Sequence, residues 1–235
     1  MEMQHQAMGY DRTATMFSPD GHLLQVEYAE KTVRLGVSSI GMVCSDGVFI
    51  IADKRIHDKL IVSESATRIH EIDEHVMAST AGITSDARVL IEKAQVLAQQ
   101  HRVTYDSPIE PESVMKELSN TKQQFTQYGG ARPFAVSMLL AGINGKKPEL
   151  FTSDVAGTYF EFHTNAIGEN DERIREILRE KYKKDLTIKQ GIKLALDIFK
   201  EVKNDKFDLE KFELAYIKSN EINMKRAEGK DIEKV

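Results

Sequence analysis

The order of strand-like and helix-like patterns limits this chain to a layered fold. Ser39-Ile-Gly-Met-Val-Cys44 and Val48-Phe-Ile-Ile-Ala-Asp53 flank Ser45-Asp46-Gly47, whose Asp-Gly pair marks a hairpin turn. Arg68-Ile-His-Glu-Ile72 alternates apolar and polar residues, and Asp73-Glu74 turns the chain into His75-Val-Met-Ala-Ser-Thr80. Two helices are expected next. Ser85 can cap the first, in which Ala87, Leu90, Ile91, Ala94, Leu97 and Ala98 keep helical spacing. Pro111 opens the second, with Val114, Met115, Leu118 and Phe125 on one side and Gly129-Gly130 as its end. Strands are expected over residues 134–143 and 149–152, with residues 157–164 as a further hairpin arm. Ile174, Ile177, Leu178 and Tyr182 mark a third helix. Thr187-Ile-Lys-Gln190 is a capping box for a fourth, striped by Ile188, Ile192, Ala195, Phe199 and Val202. Phe212-Glu-Leu-Ala-Tyr-Ile217 and a short arm over 221–225 return to strand, and the charged segment after Lys218 reads as a solvated face or frayed end. Strands then helices, twice over, indicate an α+β layered architecture rather than a Rossmann-like sheet. No Pro-, Gly- or Ser-rich linker divides residues 1–235, so one domain is expected.

Composition removes several classes of function. A net charge of −5 argues against a nucleic-acid footprint, which needs clustered excess positive charge. Cys44 is the only cysteine, so neither an intrachain disulfide nor a cysteine-based zinc site fits. The opening residues lack the apolar stretch of a secretory signal, and residues 134–143 are far too short to span a bilayer. A soluble, cytoplasmic chain is expected. His57, His70 and His75 with Asp53, Asp58 and Asp73 match no metal-ligand spacing and read as surface residues. Neither a metal nor a cofactor is called for.

The segment Tyr10-Asp11-Arg12 followed by Phe17-Ser-Pro-Asp-Gly-His-Leu-Leu-Gln-Val-Glu-Tyr-Ala29 precedes these layers and carries no obvious catalytic group. Ser18 can cap a helix whose first turn takes Pro19 and Asp20. Leu23, Leu24, Val26, Tyr28, Ala29 and Val33 give that helix several apolar faces, so it should be sandwiched rather than one-sided. In its order this run resembles the N-terminal signature of archaeal 20S proteasome α-subunits. The resemblance continues through Gly47-Val-Phe-Ile-Ile-Ala-Asp-Lys-Arg55, Ala81-Gly-Ile-Thr-Ser-Asp-Ala-Arg-Val-Leu90, Thr126-Gln-Tyr-Gly-Gly-Ala-Arg-Pro-Phe134, Asp154-Val-Ala-Gly-Thr-Tyr159 and Ala166-Ile-Gly168.

This resemblance implies a four-layer α-β-β-α sandwich of the N-terminal-nucleophile hydrolase type. Residues 1–9 would be a flexible gate tail, 10–33 an α-type extension and helix, 36–217 the core, and 218–235 a charged end. It implies a non-catalytic structural and gating subunit that forms the outer seven-membered ring, with the extension helix at the outer face. Its partners would be further copies of itself, proteasome β-subunits, a regulatory AAA+ ATPase or other activator docking by a C-terminal tail, and unfolded polypeptide in transit. Alignment on Ile40-Gly41 sets Val37 at the family's threonine nucleophile and Arg68 at its catalytic lysine, leaving Asp53 at the acidic position without partners. Valine has no hydroxyl, and arginine stays protonated and cannot accept a proton. The resemblance assigns gating to Tyr10, Asp11, Pro19 and Tyr28, capture of an activator's C-terminal carboxylate to Arg68 beside Gly82 and Ile83, and the pore constriction to Tyr128, Gly129, Gly130 and Ala131. Two alternatives are a free-standing hydrolase with a processed serine (Ser38 or Ser39) and a divergent second α-subunit. Arg68, Ala135 and Val155 depart from the family's usual lysine, glycine and proline.

Overall fold

The computed structural model describes residues 9–55 and 60–235, the Glu64 side chain aside. Helix α1 (Leu24–Arg34) precedes the hairpin β1 (Ser39–Cys44) and β2 (Gly47–Asp53), then β3 (Ile69–Asp73) and β4 (Val76–Gly82). Helices α2 (Thr84–Tyr105) and α3 (Pro111–Phe125) lead to β5 (Val136–Asn144), β6 (Lys147–Ser153), β7 (Tyr159–Glu161) and β8 (Thr164–Ile167). Helices α4 (Asp171–Lys181) and α5 (Ile188–Lys203) are followed by β9 (Phe212–Lys218) and β10 (Glu221–Glu228).

Two antiparallel five-stranded sheets result, in the orders β10-β9-β2-β1-β8 and β3-β4-β5-β6-β7. Three apolar clusters glue the layers. Val48, Ile50, Leu139, Ala141, Leu150 and Ile217 meet between the sheets. Ile40, Phe49, Ile192, Phe199 and Leu214 join the first sheet to α4 and α5. Leu90, Met115, Leu118, Met138 and Phe151 join the second sheet to α2 and α3. The α-β-β-α sandwich implied by the resemblance is therefore the architecture found.

Local chemistry accounts for several element ends. Ser45 and Asp46 form the β1–β2 turn, and the Asp46 carboxylate accepts the Ile188 amide at 2.7 Å, helping to start α5. Thr187 and Gln190 close their capping box there. Pro111 occupies the first turn of α3, as expected.

Other boundaries differ from the sequence reading. The extension helix starts at Leu24, not at Ser18, because Ser18 closes a turn instead: its Oγ accepts the His22 amide at 3.1 Å, and Gly21 takes φ +83°. Within one chain α1 buries Val26, Ala29 and Val33 on the face toward the inter-sheet cluster and Leu24 on the opposite side of its first turn, so its apolar burial is not confined to one stripe. Ser85 lies inside α2, which opens at Thr84 with no side-chain cap. Helix α3 ends at Phe125, before Gly129-Gly130. The segment 157–164 is not one arm: β7 pairs with β6, whereas β8 crosses to pair with β1. The charged C-terminal segment forms the edge strand β10, and Ile232 is buried against the α4/α5 cluster. His75 is buried and hydrogen-bonded to the Ile109 carbonyl at 2.7 Å, and His70 is half-buried, so neither is a surface residue. His57 and Asp58 lie outside the described residues. No cluster of metal-ligating side chains occurs among the described residues, and none of their helices is long and apolar enough to cross a membrane.

Candidate functional site

One end of the sandwich carries a cleft of about 200 Å3 lined by Leu35, Gly36, Val37, Arg55, Arg68, Thr80, Gly82 and Thr84. The chain can crowd so many segments there because two glycines touch. A Cβ on Gly36 would sit 2.5 Å from the Gly82 nitrogen, and one on Gly82 would sit 2.0 Å from the Ala135 carbonyl oxygen. Gly82 also takes φ +123°, a region that side chains rarely adopt. The Ile83 amide then donates to the Ala135 carbonyl at 3.0 Å. Arg68, Gly82 and Ile83 are thus gathered at the mouth of α2.

The charges in the cleft are not equivalent. Arg55 is bound to the Glu169 carboxylate and donates to the Leu35 carbonyl at 3.4 Å. Arg68 forms no ion pair with another described residue. Its guanidinium reaches the Thr84 hydroxyl at 3.5 Å, and its Nε is buried without a partner. A cation held beside the uncapped start of a 22-residue helix makes this a place for an anion. Burial together with the Arg226 and Arg68 charges pushes the pKa of neighbouring His70 down, so it adds no charge of its own near neutrality.

The Ser38 and Ser39 hydroxyls and the Asp53 carboxylate near Val37 are committed. Val37 is buried; the Ser38 hydroxyl donates to the Glu169 carbonyl at 2.7 Å; Ser39 and Ser79 share a buried hydroxyl pair at 2.8 Å. Asp53 is not left without partners as the sequence reading had it. Its carboxylate meets Lys203 Nζ at 2.7 Å and accepts the Arg55 amide at 2.9 Å.

The turn after α3 projects Tyr128, which is exposed, with Gly129 and Gly130 in open space and Ala131 half-buried. Gly130 takes φ +81° and so needs glycine, whereas Gly129 faces no such demand. Beneath the turn, Phe125 stacks edge-on against Phe134 at 4.7 Å. Beyond it, Arg132 grips Asp86 in α2 by two bonds of 2.5 and 2.6 Å, which holds the Asp86 carboxyl below the usual carboxylate range. Asp86 therefore ties the turn's far end to the same helix start that borders the cleft.

In the extension, the Asp11 carbonyl accepts Gln25 Nε2 at 2.5 Å, which fastens the segment after Tyr10 to α1 one turn before Tyr28. Lys31 lies over the Tyr28 ring at 5.6 Å, and Pro19 is exposed in the preceding turn. Residues 1–8 of the expected gate tail lie outside the described residues.

Two residues that the sequence reading passed over stand out. Glu213 is buried between the sheets at the root of Arg68, and Lys122 is fully buried beneath the exposed turn. Each is a charge on an otherwise apolar phase, which is a legible signal.

The family profile described as "Proteasome subunit" matches residues 33–217, and the profile for the N-terminal signature of A-type proteasome subunits matches residues 10–31. Relatives named as proteasome alpha subunits span nearly the whole chain. The one from Methanosarcina thermophila is 39% identical over 225 residues, 96% of this chain and 91% of its own. Its counterpart from Methanothermobacter thermautotrophicus is 40% identical over 227 residues, covering 97% and 92%. The Thermococcus sibiricus protein is 41% identical over 226 residues, covering 96% and 86%. With both core and extension matched in register, the chain belongs to the proteasome subunit family, on its α side.

Proposed function

We propose that this chain, a structural outer-ring subunit of the 20S proteasome assembled with other proteasome subunits, gates its ring and docks activators on it. The observation that carries this reading is the α-type signature over residues 10–31, joined to a core match over 33–217. As an α-type subunit the chain is not the particle's enzyme. Its residues supply a reason: Val37 has no hydroxyl where the family's nucleophile would stand, and Arg68 cannot accept a proton. The hydrolase alternative lacks a free serine, since Ser38 and Ser39 are both engaged within the fold.

Gating is assigned to residues 1–9, with Tyr10, Asp11, Pro19 and Tyr28 holding the open arrangement across neighbours in a seven-membered ring. Tyr128, Gly129, Gly130 and Ala131 form the pore constriction through which unfolded polypeptide passes to the β-subunits; the projecting Tyr128 supports this. Arg68, beside Gly82 and Ile83, takes the C-terminal carboxylate of a regulatory ATPase or other activator tail. The support is a guanidinium with no ion pair to another described residue, in a small polar cleft. The cytoplasm is the compartment this assembly implies.

The test is Arg68→Ala in cores co-assembled with a cognate β-subunit. Stimulation by peptides ending in hydrophobic–Tyr–any residue should vanish while rings still form, and Arg68→Lys should retain it. Wild-type stimulation of Arg68→Ala cores would refute the docking assignment.

A further inference from the structure

Glu213 stands where an apolar residue would be expected. Its strand is buried on both sides, with Phe212 and Leu214 packed toward α4 and α5 and Ala215 and Ile217 toward the other sheet. Glu213 itself is 2% exposed. An isolated carboxylate in such a place is costly unless its oxygens find donors. All of its donors come from one segment of three residues. One oxygen accepts the amides of Arg68 and Ile69, the latter at 2.8 Å, and the other accepts the Thr67 hydroxyl at 2.9 Å. Glu213 belongs to one sheet and Thr67 to Ile69 lead into the other, so the carboxylate is a clasp between sheets placed at the base of the Arg68 side chain.

That side chain has little else to fix it. Among the described residues its one side-chain hydrogen bond is the 3.5 Å approach to Thr84, and its Nε has no partner there. The guanidinium therefore points where its backbone is held. We propose that Glu213 is the positioning residue for Arg68, and that its carboxylate, when ionised, sets the cation for capture of an anionic tail. The inference rests on the docking reading given above for Arg68.

Three donors face this carboxylate; a protonated acid offers the two amides only a neutral carbonyl oxygen, a weaker acceptor, while its single O–H turns to Thr67. Protonation thus loosens the clasp. Other charges around Glu213 come from each neighbouring strand: Lys54 at the end of β2, Glu228 and Arg226 on β10, and Arg68 and His70 at β3. Lys54 Nζ is bonded to both Glu228 oxygens at 3.1 Å, which spends most of its charge there. Burial raises the Glu213 pKa above its ordinary 4.5, against the smaller opposing pull of the Arg68 amide, Thr67, Ile69 and Lys54. Arg68 should consequently lose its grip on a carboxylate at mildly acid pH.

The experiment uses assembled cores and a fluorescent peptide ending in hydrophobic–Tyr–any residue, with the C-terminally amidated peptide as the blank, and measures binding by anisotropy from pH 5 to 8. Wild-type affinity should fall as the pH is lowered. Glu213→Gln should bind about tenfold more weakly at pH 8, the size expected for losing a hydrogen bond to a charged group, and should be flat with pH. Thr67→Val keeps the carboxylate but removes one stabilising donor, so its acid loss should begin at a higher pH than in wild type. This variant carries the test if Glu213→Gln cores do not assemble. Unchanged affinity in Glu213→Gln, or an unshifted profile in Thr67→Val, overturns the proposal. If Arg68→Ala also binds like wild type, the docking reading itself fails; if Arg68→Ala alone is impaired, only the positioning role is lost.

Discussion

Replacing Lys122 should change how stability depends on pH. Its ammonium sits fully buried at the end of α3, donating to the Val136 carbonyl at 3.0 Å, the Asp154 carbonyl at 3.1 Å and the Ser153 hydroxyl at 2.8 Å. Burial pushes its pKa from 10.5 down to about 7, against a smaller upward pull from Asp154. That drop corresponds to roughly 5 kcal/mol favouring the neutral amine. Either form is satisfied, since the Ser153 hydroxyl can accept from an ammonium or donate to an amine. The unfolded chain keeps this proton to about pH 10.5 and the folded chain only to about pH 7. Between those values the unfolded state binds more protons, so stability rises with pH; below pH 7 the full cost is present. From pH 7 to pH 9 the gain is about 2 kcal/mol, or about 4–8 °C in Tm for a chain of this size. Calorimetric scans of wild type and Lys122→Met at both pH values subtract every other titrating group. Wild type should gain that many degrees more than the variant. Parallel pH profiles would refute the reasoning.

Gly82→Ala should cost at least about 3 kcal/mol, because a side chain there meets both an unfavourable φ and the Ala135 carbonyl; an unchanged Tm would contradict the close approach. Deleting residues 1–9 should raise hydrolysis of short peptides by assembled cores, and Tyr28→Ala should blunt activator-stimulated hydrolysis. Equal rates before and after the deletion would argue against a gate.

Much of the layering was legible because its signals are local. Asp46-Gly47 marks the first hairpin whatever packs on it, and Thr187 with Gln190 starts α5 by its own chemistry. Signals that fit two local structures misled. Ser18-Pro19-Asp20 suits a helix start and a tight turn equally, and the φ of Gly21, which sequence does not display, decided for the turn. The local pattern over 157–164 could not reveal that its two halves pair with different sheets, since strand partners are set by long-range packing. His75 looked like a surface residue because its acceptor, the Ile109 carbonyl, lies 34 positions away. The site residues came from the family resemblance, whereas the clasp on Arg68 did not. Glu213 among Phe212, Leu214, Ala215 and Ile217 is a charge in a strand apolar on both phases, and Lys122 follows Met115 and Leu118 on the buried face of α3. Such misplaced charges can be read from sequence, but their partners cannot.

The central claim is that this chain builds the outer ring at the entrance to a protease chamber and does not itself cut. Native mass spectrometry of the purified chain, alone and with a cognate β-subunit, addresses it most directly. Cyclic assembly requires that one face of each copy meet a different face of the next. The expected result is a seven-membered species of the 26.6 kDa chain with its N-terminus intact, and a larger particle that hydrolyses peptides only when the β-subunit is present. A chain that stays monomeric at micromolar concentration in both samples, or that hydrolyses peptides alone after losing its N-terminal segment, would contradict it.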